Sequence, residues 1–296
     1  MTSRLARAKI NLALHVGARR ADGFHQLDSI VCFAGIGDRV AVFPDTGVRL
    51  EVRGPMADGV PIDGDNLIMK AAALFGGGHG ARIILEKHLP VAAGIGGGSA
   101  DAAAALRLLG EKWGQELPPV DRLRALGADV PVCLAGVATR MRGIGERLDP
   151  LTQMPKLDAV LVNPGVPLAT RDVFSNLATP DGGELEAPVM GGTFGDWIAY
   201  LARQRNDLEK PAIGVCPEIV DVLEMLNASE TCDLARMSGS GATCFGLFAS
   251  SDQAANAAAD ISARHPAWWV RPTVLGRSDD PRNHVIGQRD QEIANG

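Results

Sequence analysis

The amino-acid sequence predicts an α+β fold, and three observations lead to that class. Hydrophobic residues make up 46% and charged residues 22% of its 296 positions, which excludes wholesale disorder. Short runs with the alternation of half-buried strands fill the first fifty residues. Helices and strands then follow one another without the regular βαβ order of a doubly wound sheet. At this length we expect two domains, 1–150 and 151–275, and a flexible tail over 276–296.

The elements of the first half are predicted from periodicity and from helix-end signals. Strands are expected at 10–16, from residue 30, at 39–43, at 48–52 and at 82–86, with a charged turn at 18–23. A first helix is expected at 66–74, with Asp65 as its cap. A second helix is expected from Ser99 to Leu109, with Gly110 as its stop signal.

The second half is predicted to contain two short strands and two helices. The strands are expected at 159–163 and 243–249, and the helices at 217–227 and 254–264. Proline at the first position favours the start of the helix at 217. Its buried stripe is predicted to consist of Ile219, Val220, Leu223 and Leu226. The glycine-rich stretch 182–195 is expected to be a loop.

Charge and cysteine content exclude several classes of function. Lys and Arg number 29 against 35 Asp and Glu, and a mildly acidic chain without a basic run is poorly suited to nucleic acid. Five scattered cysteines without a Cys-x-x-Cys pair indicate neither a disulfide framework nor a zinc site. No run approaches the roughly 18 apolar residues of a membrane helix. We therefore expect a cytoplasmic protein with small-molecule partners, as a monomer or a weak homodimer.

The most informative segment is LPVAAGIGGGSADAAAA at 89–105, where a strand runs into four glycines before a helix. Such a loop turns successive N–H groups inward, and the helix start adds partial positive charge, so the segment predicts an anion cradle. No lysine follows the glycines as a Walker A motif requires. The Rossmann fingerprint fails because Ser99 occupies its last glycine position. A flexible loop capped by Ser99 is the plain structural alternative.

A second glycine loop, MSGSGAT at 237–243, stands just before a predicted strand. Gly239 and Gly241 flank Ser240, which supplies a hydroxyl group. Taken alone, this segment could be a tight turn. Two such loops beside strand ends favour a polyanionic ligand held from two sides.

Two charged residues are candidates for acid–base chemistry. The carboxylate of Asp129 in LGADVP, where the chain is extended or turning, could accept a proton from a substrate hydroxyl. Lys9 in AKINLAL shares one face of a predicted strand with Asn11. Facing Asp129, Lys9 would keep the carboxylate ionised. The alternatives are an ordinary turn aspartate and a solvated strand end.

Together with the two glycine loops, several further segments resemble the GHMP family of small-molecule kinases. They are AKINLALHV at 8–16, RRADGFHQL at 19–27, DNLIMKAA at 65–72, LGADVPVCLAG at 126–136, NPGV at 163–166 and NDLE at 206–209. The resemblance spans residues 8–248. It implies an N-terminal β-α domain similar to domain 2 of ribosomal protein S5. It also implies a C-terminal ferredoxin-like domain that closes over the cleft.

The resemblance implies roles for individual residues. Asp129 matches the catalytic aspartate of the family, and Lys9 its partner. The ATP side would comprise Asn66, Lys87, Pro90, Ala92, Ala93, Gly94, Ile95, Gly96, Gly97, Gly98 and Ser99. The substrate side would comprise Asn11, Phe24, His25, Thr170 and Phe174. The second glycine loop contributes Ser238, Gly239, Ser240 and Gly241.

The Gly-Phe-His turn and LGADVP indicate which branch of the family is closest. Phe24 and Phe174 would sandwich a cytosine while His25 binds its edge. The implied reaction is phosphorylation by ATP and Mg²⁺ of the 2-hydroxyl of a cytidyl diphosphate methylerythritol, in non-mevalonate isoprenoid biosynthesis. Alternatives are a kinase for homoserine, mevalonate or a sugar, and a non-catalytic nucleotide-binding module. The failed fingerprint disfavours a dinucleotide oxidoreductase.

Three positions depart from the pattern of the family, and one of them is Val31, where some relatives carry a further aromatic residue. Phe24 stands where a tyrosine is usual, so the ring keeps its stacking face and loses a hydroxyl. Ala100 follows Ser99 where many relatives carry a second serine. Ser99 is then the residue that could hold Mg²⁺, together with phosphate oxygens and water.

Overall fold

The computed structural model describes residues 2–21, 23–178 and 183–276, and its mixture of strands and helices confirms the α+β class. The strands of the first half are β1 (Thr2–Arg19), β2 (His25–Phe43), β3 (Val48–Arg53), β4 (Ala81–Glu86), β5 (Thr139–Gly143) and β6 (Arg147–Pro150). Its helices are α1 (Leu67–Ala73), α2 (Gly97–Trp113), α3 (Val120–Leu126) and α4 (Val130–Ala135).

The second half of the chain is built from four strands and five helices within the described residues. The strands are β7 (Leu157–Asn163), β8 (Cys232–Met237), β9 (Cys244–Phe248) and β10 (Trp269–Leu275). The helices are α5 (Thr170–Ser175), α6 (Phe194–Ala202), α7 (Glu209–Val215), α8 (Glu218–Asn227) and α9 (Ser251–Arg264). Apart from Gly276, the expected tail lies outside the described residues, as does residue 182 of the glycine-rich stretch. None of the described helices has the length and apolar character needed to cross a bilayer.

The strands form two groups that meet along one edge. In the first group, the long β1 and β2 pair antiparallel, and β2 also pairs with β4 and β5. In the second group the order is β10-β7-β9-β8, with antiparallel pairs throughout. Helices follow β7 and β9, which gives the β-α-β-β-α-β order of a ferredoxin-like unit. The two groups join where Leu275 of β10 pairs with Ala34 of β2.

Strand β1 is buried on both faces, and this arrangement brings polar side chains to the site. Successive side chains of a strand point to opposite faces. Ala8, Ile10 and Leu12 are fully buried in the main hydrophobic core. Lys9 and Asn11 therefore lie on the opposite face, where they are only 5% and 2% exposed. The apolar face of β1 thus fixes the position of the polar face.

Helix α2 is longer at both ends than the sequence predicts. It begins at Gly97 rather than Ser99, because Gly96 takes the cap position with a left-handed φ of +62° that glycine adopts without strain. It continues through Gly110 and ends at Gly114, whose φ is +63°. The prediction of a helix from Ser99 to Leu109 was therefore wrong at its boundaries, since Gly96 rather than Ser99 marks its start and Gly114 rather than Gly110 marks its end.

Two smaller predictions about helices were also wrong. The cap of α1 is Asn66 rather than Asp65, and its Oδ1 accepts from Ile68 N at 2.8 Å. In α8, Val222 rather than Val220 completes the buried stripe with Ile219. Val220 is 37% exposed, because residues three apart share a helix face whereas adjacent residues do not.

Candidate active site

A cavity of about 1390 Å³ is lined by residues from both halves of the chain. Most of the predicted site residues line it: Lys9, Asn11, Phe24, His25, Asn66, Lys87, Pro90, Ala92, Ala93, Gly94, Gly96, Gly97, Gly98, Ser99, Asp129, Thr170, Phe174, Gly239 and Ser240. Three others, Ile95, Ser238 and Gly241, are buried and do not line the cavity. The structure thus gathers residues that are up to 231 positions apart in sequence.

Lys9 and Asp129 meet at the cavity although 120 residues separate them. Lys9 Nζ donates to Asp129 Oδ2 at 2.7 Å. Asp129 occupies the cap position of α4 but makes no cap hydrogen bond with that helix. The Asp129 side chain keeps 30% of its surface exposed, whereas the Lys9 side chain keeps 7%. A carboxylate that is oriented by an ammonium group and open to the cavity can accept a proton from a bound ligand.

The first glycine loop lies directly beside this pair. Lys9 N donates to Ile95 O at 2.9 Å, which ties the loop to β1. A Cβ atom at Gly96 would lie 3.1 Å from Lys9 Cβ. Because α2 starts at Gly97, its free N–H groups and the positive end of its dipole face the cavity. The loop therefore has the features of an anion-binding site next to the Lys9–Asp129 pair.

The second glycine loop packs against the first at backbone distance. A Cβ atom at Gly94 would lie 2.5 Å from Gly241 O, closer than real side chains come. The buried Ser238 hydroxyl donates to Gly94 O at 3.3 Å and accepts from Asn11 N at 3.1 Å. Ser238 thus links both loops to β1, while the Ser240 hydroxyl lines the cavity and bonds with Thr170 Oγ1 at 2.9 Å.

Lys87 lies beneath the first glycine loop between two carboxylates. Its Nζ donates to Asp38 Oδ2 and, at 3.1 Å, to Asp101 Oδ2. Burial alone would lower the pKa of Lys87, but the two carboxylates outweigh it and raise that pKa. Burial raises the pKa of Asp101 to about 8 against the attraction of Lys87. We refer to Asp38, Lys87 and Asp101 as the buried triad.

Asn66, on the nucleotide side, already has partners for both ends of its amide. Its Nδ2 donates to Pro61 O at 2.7 Å, and its Oδ1 caps α1. The side chain therefore shapes the wall of the cavity by fixing the start of α1. Its position on the cavity is the one the sequence predicts, although the structure adds a capping role.

The predicted substrate side gathers an aromatic pair and one unpartnered acceptor. The rings of His25 and Phe174 lie 5.6 Å apart at 32°, and Phe24 is 60% exposed beside them on the cavity wall. Asn11 donates through Nδ2 to Ser29 Oγ at 2.8 Å. Its buried Oδ1 has no partner among the described residues. That oxygen has almost no accessible surface, so it is enclosed by the protein behind the cavity wall.

Several residues that support the site were missed by the sequence analysis. Asp38 Oδ1 accepts from the backbone N–H of Leu89 at 2.8 Å and so fixes the start of the first loop. Asn206 donates to Met237 O and Gly239 O at 2.8 and 2.9 Å, which holds the second loop. The NDLE segment contained the signal for Asn206. Nothing in the short string around Asp38 distinguishes it from a surface aspartate.

Comparison with known proteins agrees with this geometry. Residues 66–139 match the family model described as the GHMP kinases N terminal domain, and residues 191–267 match the GHMP kinases C terminal model. The chain is 56% identical over 271 residues to the 4-diphosphocytidyl-2-C-methyl-D-erythritol kinase of Dinoroseobacter shibae, covering 91% of this chain and 93% of that protein. It is 51% identical over 280 residues to the protein of the same name from Paramagnetospirillum magneticum, with coverage of 91% and 97%.

Solved structures share the same fold. A crystal structure of 4-(cytidine 5'-diphospho)-2C-methyl-D-erythritol kinase superposes with a TM-score of 0.76 at 35% identity, covering 94% of this chain and all of that one. Homoserine kinase from Cytophaga hutchinsonii superposes with a TM-score of 0.62 at 18% identity, covering 94% and 98%, and so shares the fold alone. The resemblance found in the sequence is confirmed, and the chain belongs to the 4-diphosphocytidyl-2-C-methyl-D-erythritol kinase family of the GHMP kinases.

Proposed function

We propose that this protein transfers the γ-phosphoryl group of ATP to the 2-hydroxyl of 4-diphosphocytidyl-2-C-methyl-D-erythritol, a step of non-mevalonate isoprenoid biosynthesis. The names of its relatives support the substrate. The observation that carries the chemistry is the 2.7 Å contact between Lys9 Nζ and Asp129 Oδ2 beside the first glycine loop. We also propose that 1–150 and 151–275 are the two domains that enclose the cleft.

In the proposed reaction, Asp129 takes the proton of the substrate hydroxyl. The hydroxyl oxygen attacks the γ-phosphorus as the bond from that phosphorus to the β-phosphate oxygen breaks, and ADP leaves. Lys9 orients the carboxylate and offsets the negative charge that develops at the reacting centre. Catalysis then rests mainly on alignment and electrostatic stabilisation, as phosphoryl transfer generally requires.

The first glycine loop is proposed to hold the β- and γ-phosphates. Gly94, Gly96 and Ala92 have φ values of +73°, +62° and +51°, which expose the backbone of the loop. The N–H groups at the start of α2 would donate to phosphate oxygens. Ser240 of the second loop faces the same cavity and offers a hydroxyl from the other side.

The donor set around the loop fits a Mg²⁺ ion that is held largely by phosphates. The described residues contain no cluster of three His, Cys, Asp or Glu side chains that could cage a metal. Mg²⁺ commonly keeps several waters and binds through substrate phosphates and few protein groups. We propose that the Ser99 hydroxyl would hold it, together with phosphate oxygens and water, and that the ion would offset the charge of the phosphates.

The cytosine of the substrate is proposed to stack among the aromatic residues of the cavity. Phe24 presents an exposed ring, and Phe174 lies against His25. A hydrogen bond between His25 Nδ1 and Gly17 O, 3.1 Å long, fixes the orientation of the His25 imidazole. Asn11 lines the same cavity and would contribute to the wall beside the ligand.

The test of this proposal is ADP release with the cytidyl substrate, homoserine and mevalonate in parallel. We expect turnover with the cytidyl substrate alone, because only that compound carries a base for the aromatic side of the cavity. Equal or faster turnover with homoserine or mevalonate would overturn the substrate assignment. Nucleotide binding without ADP release from any of the three would favour a non-catalytic module.

A variant of Phe24 tests the base-binding side. Phe24→Ala should raise the KM for the cytidyl substrate roughly five- to hundredfold, the range expected for loss of one stacking ring, and leave the KM for ATP unchanged. Met190→Ala, which removes another exposed apolar side chain outside the cavity, is the matched control. An unchanged KM in Phe24→Ala would exclude Phe24 from substrate binding.

A further inference from the structure

Among the described residues, the lysine and arginine side chains that line the large cavity are Lys9, Arg19, Lys87 and Arg171. Lys9 and Lys87 are already bound to aspartates, in the Lys9–Asp129 pair and in the buried triad. The proposed reaction gives Arg19 and Arg171 no role. Both lie on the substrate side of the cavity, so two guanidinium groups there have no assigned function.

Arg19 is held beside the aromatic residues by the pairing of β1 with β2. Its partner across the ladder is His25, and residues directly opposite each other in an antiparallel pair place their side chains on the same face. The ring of His25 in turn lies 5.6 Å from that of Phe174. Arg19 Nε donates to Gly23 O at 3.1 Å, which uses one of the five N–H donors of the guanidinium group. Arg19 therefore flanks the base-binding side of the cavity.

Arg171 reaches the same side of the cavity from the second half of the chain. It lies three residues before Phe174 in α5, a spacing that places both side chains on one face of the helix. The Arg171 side chain is 92% exposed, and its Nε lies 3.9 Å from Asp172 Oδ1, which is beyond hydrogen-bond distance. The preceding residue, Thr170, is bonded through its hydroxyl to Ser240 of the second glycine loop at 2.9 Å. Arg171 thus combines an anchored backbone with a solvated guanidinium group that can turn toward a ligand.

The proposed substrate requires positive charge on this side of the cavity. Its diphosphate links the cytidine to the methylerythritol and carries negative charge on both phosphates. With the cytosine beside Phe24 and Phe174 and the reacting hydroxyl at Asp129, the diphosphate must lie between these two points. The first glycine loop is occupied by the phosphates of ATP in the proposed reaction, so it is not available for this second anion. Guanidinium groups suit the task, because they match phosphate oxygens in charge and in hydrogen-bond geometry.

We propose that Arg19 and Arg171 bind the diphosphate of the cytidyl substrate and so select a cytidyl diphosphate over an uncharged cytidine compound. This inference rests on the proposed function, because it takes the cytidyl substrate as given. Arg19 belongs to β1 of the first half and Arg171 to α5 of the second, so the diphosphate would bridge the two halves of the chain. Both arginines are exposed to solvent, so each contact contributes modestly to affinity.

Isothermal titration calorimetry with cytidine and with cytidine diphosphate tests this site in the full-length protein. A saturating non-hydrolysable ATP analogue is present throughout, so that neither probe can occupy the ATP side. Arg19→Gln and Arg171→Gln should each weaken binding of cytidine diphosphate about two- to fivefold and leave binding of cytidine unchanged. Wild type should therefore bind cytidine diphosphate about four- to twenty-five-fold more tightly than cytidine, as two such contacts require. Arg147→Gln, at an exposed position of β6 outside the cavity, is the matched control and should bind both probes like wild type.

The double variant of Arg19 and Arg171 completes the test, since it should bind the two probes equally. In ADP-release assays it should raise the KM for the cytidyl substrate and leave kcat unchanged, because neither side chain touches the reacting atoms. Binding of cytidine with no gain for cytidine diphosphate in wild type, or an undiminished gain in the double variant, would overturn this inference and leave the base-binding site intact. Absence of binding by both probes would overturn the cytidyl assignment itself, and this inference with it.

Discussion

Two lysines flank the first glycine loop, and their surroundings differ in one decisive respect. Lys9 and Lys87 are both about 5% exposed, and each donates to aspartate. The partner of Lys9, Asp129, keeps 30% of its side chain exposed to the cavity. The partners of Lys87, Asp38 and Asp101, keep 0% and 5%. The Asp129 carboxylate can therefore exchange a proton with a ligand, whereas Lys87 and Asp101 reach the cavity wall with almost no exposed surface.

This difference shows that residue type alone does not distinguish an ion pair with a catalytic role from one that stabilises the fold. An accessible carboxylate can act as a base, because substrate can reach it. A sealed ion pair has already lost its water, so its removal leaves an uncompensated charge. We therefore expect changes at the Lys9–Asp129 pair to alter rate and changes at the buried triad to alter stability.

The largest effect, a loss of kcat, is expected at the Lys9–Asp129 pair. Asp129→Asn keeps the size of the side chain and removes its ability to take a proton. We expect kcat to fall about 10²–10⁴-fold, with the dissociation constant for ATP largely unchanged. Asp149→Asn, at an exposed ion pair with Arg142, is the matched control. Steady-state ADP release and nucleotide titration measure the two quantities, and wild-type turnover in Asp129→Asn would exclude Asp129 as the base.

The next largest effect is expected at the buried triad. Lys87→Met leaves Asp38 and Asp101 without a cation in a sealed site, which should lower the free energy of unfolding by about 3–5 kcal/mol. Lys112→Met, at an exposed position in the last turn of α2, should have little effect. Urea denaturation measures both variants. A stable Lys87→Met protein with impaired ATP binding would instead favour the nucleotide role predicted from sequence.

Gly96 and Gly97 allow the surroundings of Lys9 and Lys87 to be perturbed separately within one loop. A Cβ at Gly96 would lie 3.1 Å from Lys9 Cβ, and one at Gly97 would lie 3.2 Å from Lys87 Nζ. Gly96→Ala also forces a left-handed φ on alanine, at a cost of about 1–2 kcal/mol. We expect Gly96→Ala to reduce kcat more than Gly97→Ala does, because it displaces Lys9. Equal kcat values in the two variants would show that the loop responds as one unit.

The sequence predicts the Lys9–Asp129 pair better than it predicts the buried triad. Lys9, Asp129 and the first glycine loop carry recognisable motifs, because a reactive group needs particular neighbours in the chain. Asp38 and Asp101 carry no such signal. Their partner Lys87 lies 49 and 14 residues away, and only the packing of α2 on the sheet brings the three together. Such contacts depend on tertiary structure and cannot be inferred from local pattern.

The same limit explains the errors at helix boundaries. Serine is a better helix cap than glycine by intrinsic preference, which made Ser99 the expected start of α2. In the structure, Gly96 takes that position because the loop needs a left-handed φ there and passes close to Lys9, with little room for a Cβ atom. The class of fold followed from composition and pattern, since many residues contribute to it. The exact start of α2 depended on one contact between distant segments.

The smallest effect on turnover is expected from neutralising one carboxylate of the buried triad. The pKa of Asp101 is raised from the ordinary 3.8 to about 8, chiefly by burial, so the folded protein holds a proton that the unfolded chain releases. The stabilisation from that proton is complete below pH 3.8 and is lost as pH rises to about 8. Asp101→Asn cannot titrate and still leaves Lys87 paired with Asp38.

The unfolding free energy of wild type relative to Asp101→Asn should therefore fall between about pH 4 and pH 8, and level off above it. Urea denaturation of both proteins across this range measures the difference, in which titrations common to the two chains cancel. Turnover of Asp101→Asn at pH 7 should stay close to that of wild type, because Asp101 orients Lys87 and does not take the substrate proton. A difference that is constant with pH would mean that Asp101 is ionised in the fold. The buried triad would then carry a net negative charge beneath the loop proposed to hold phosphates.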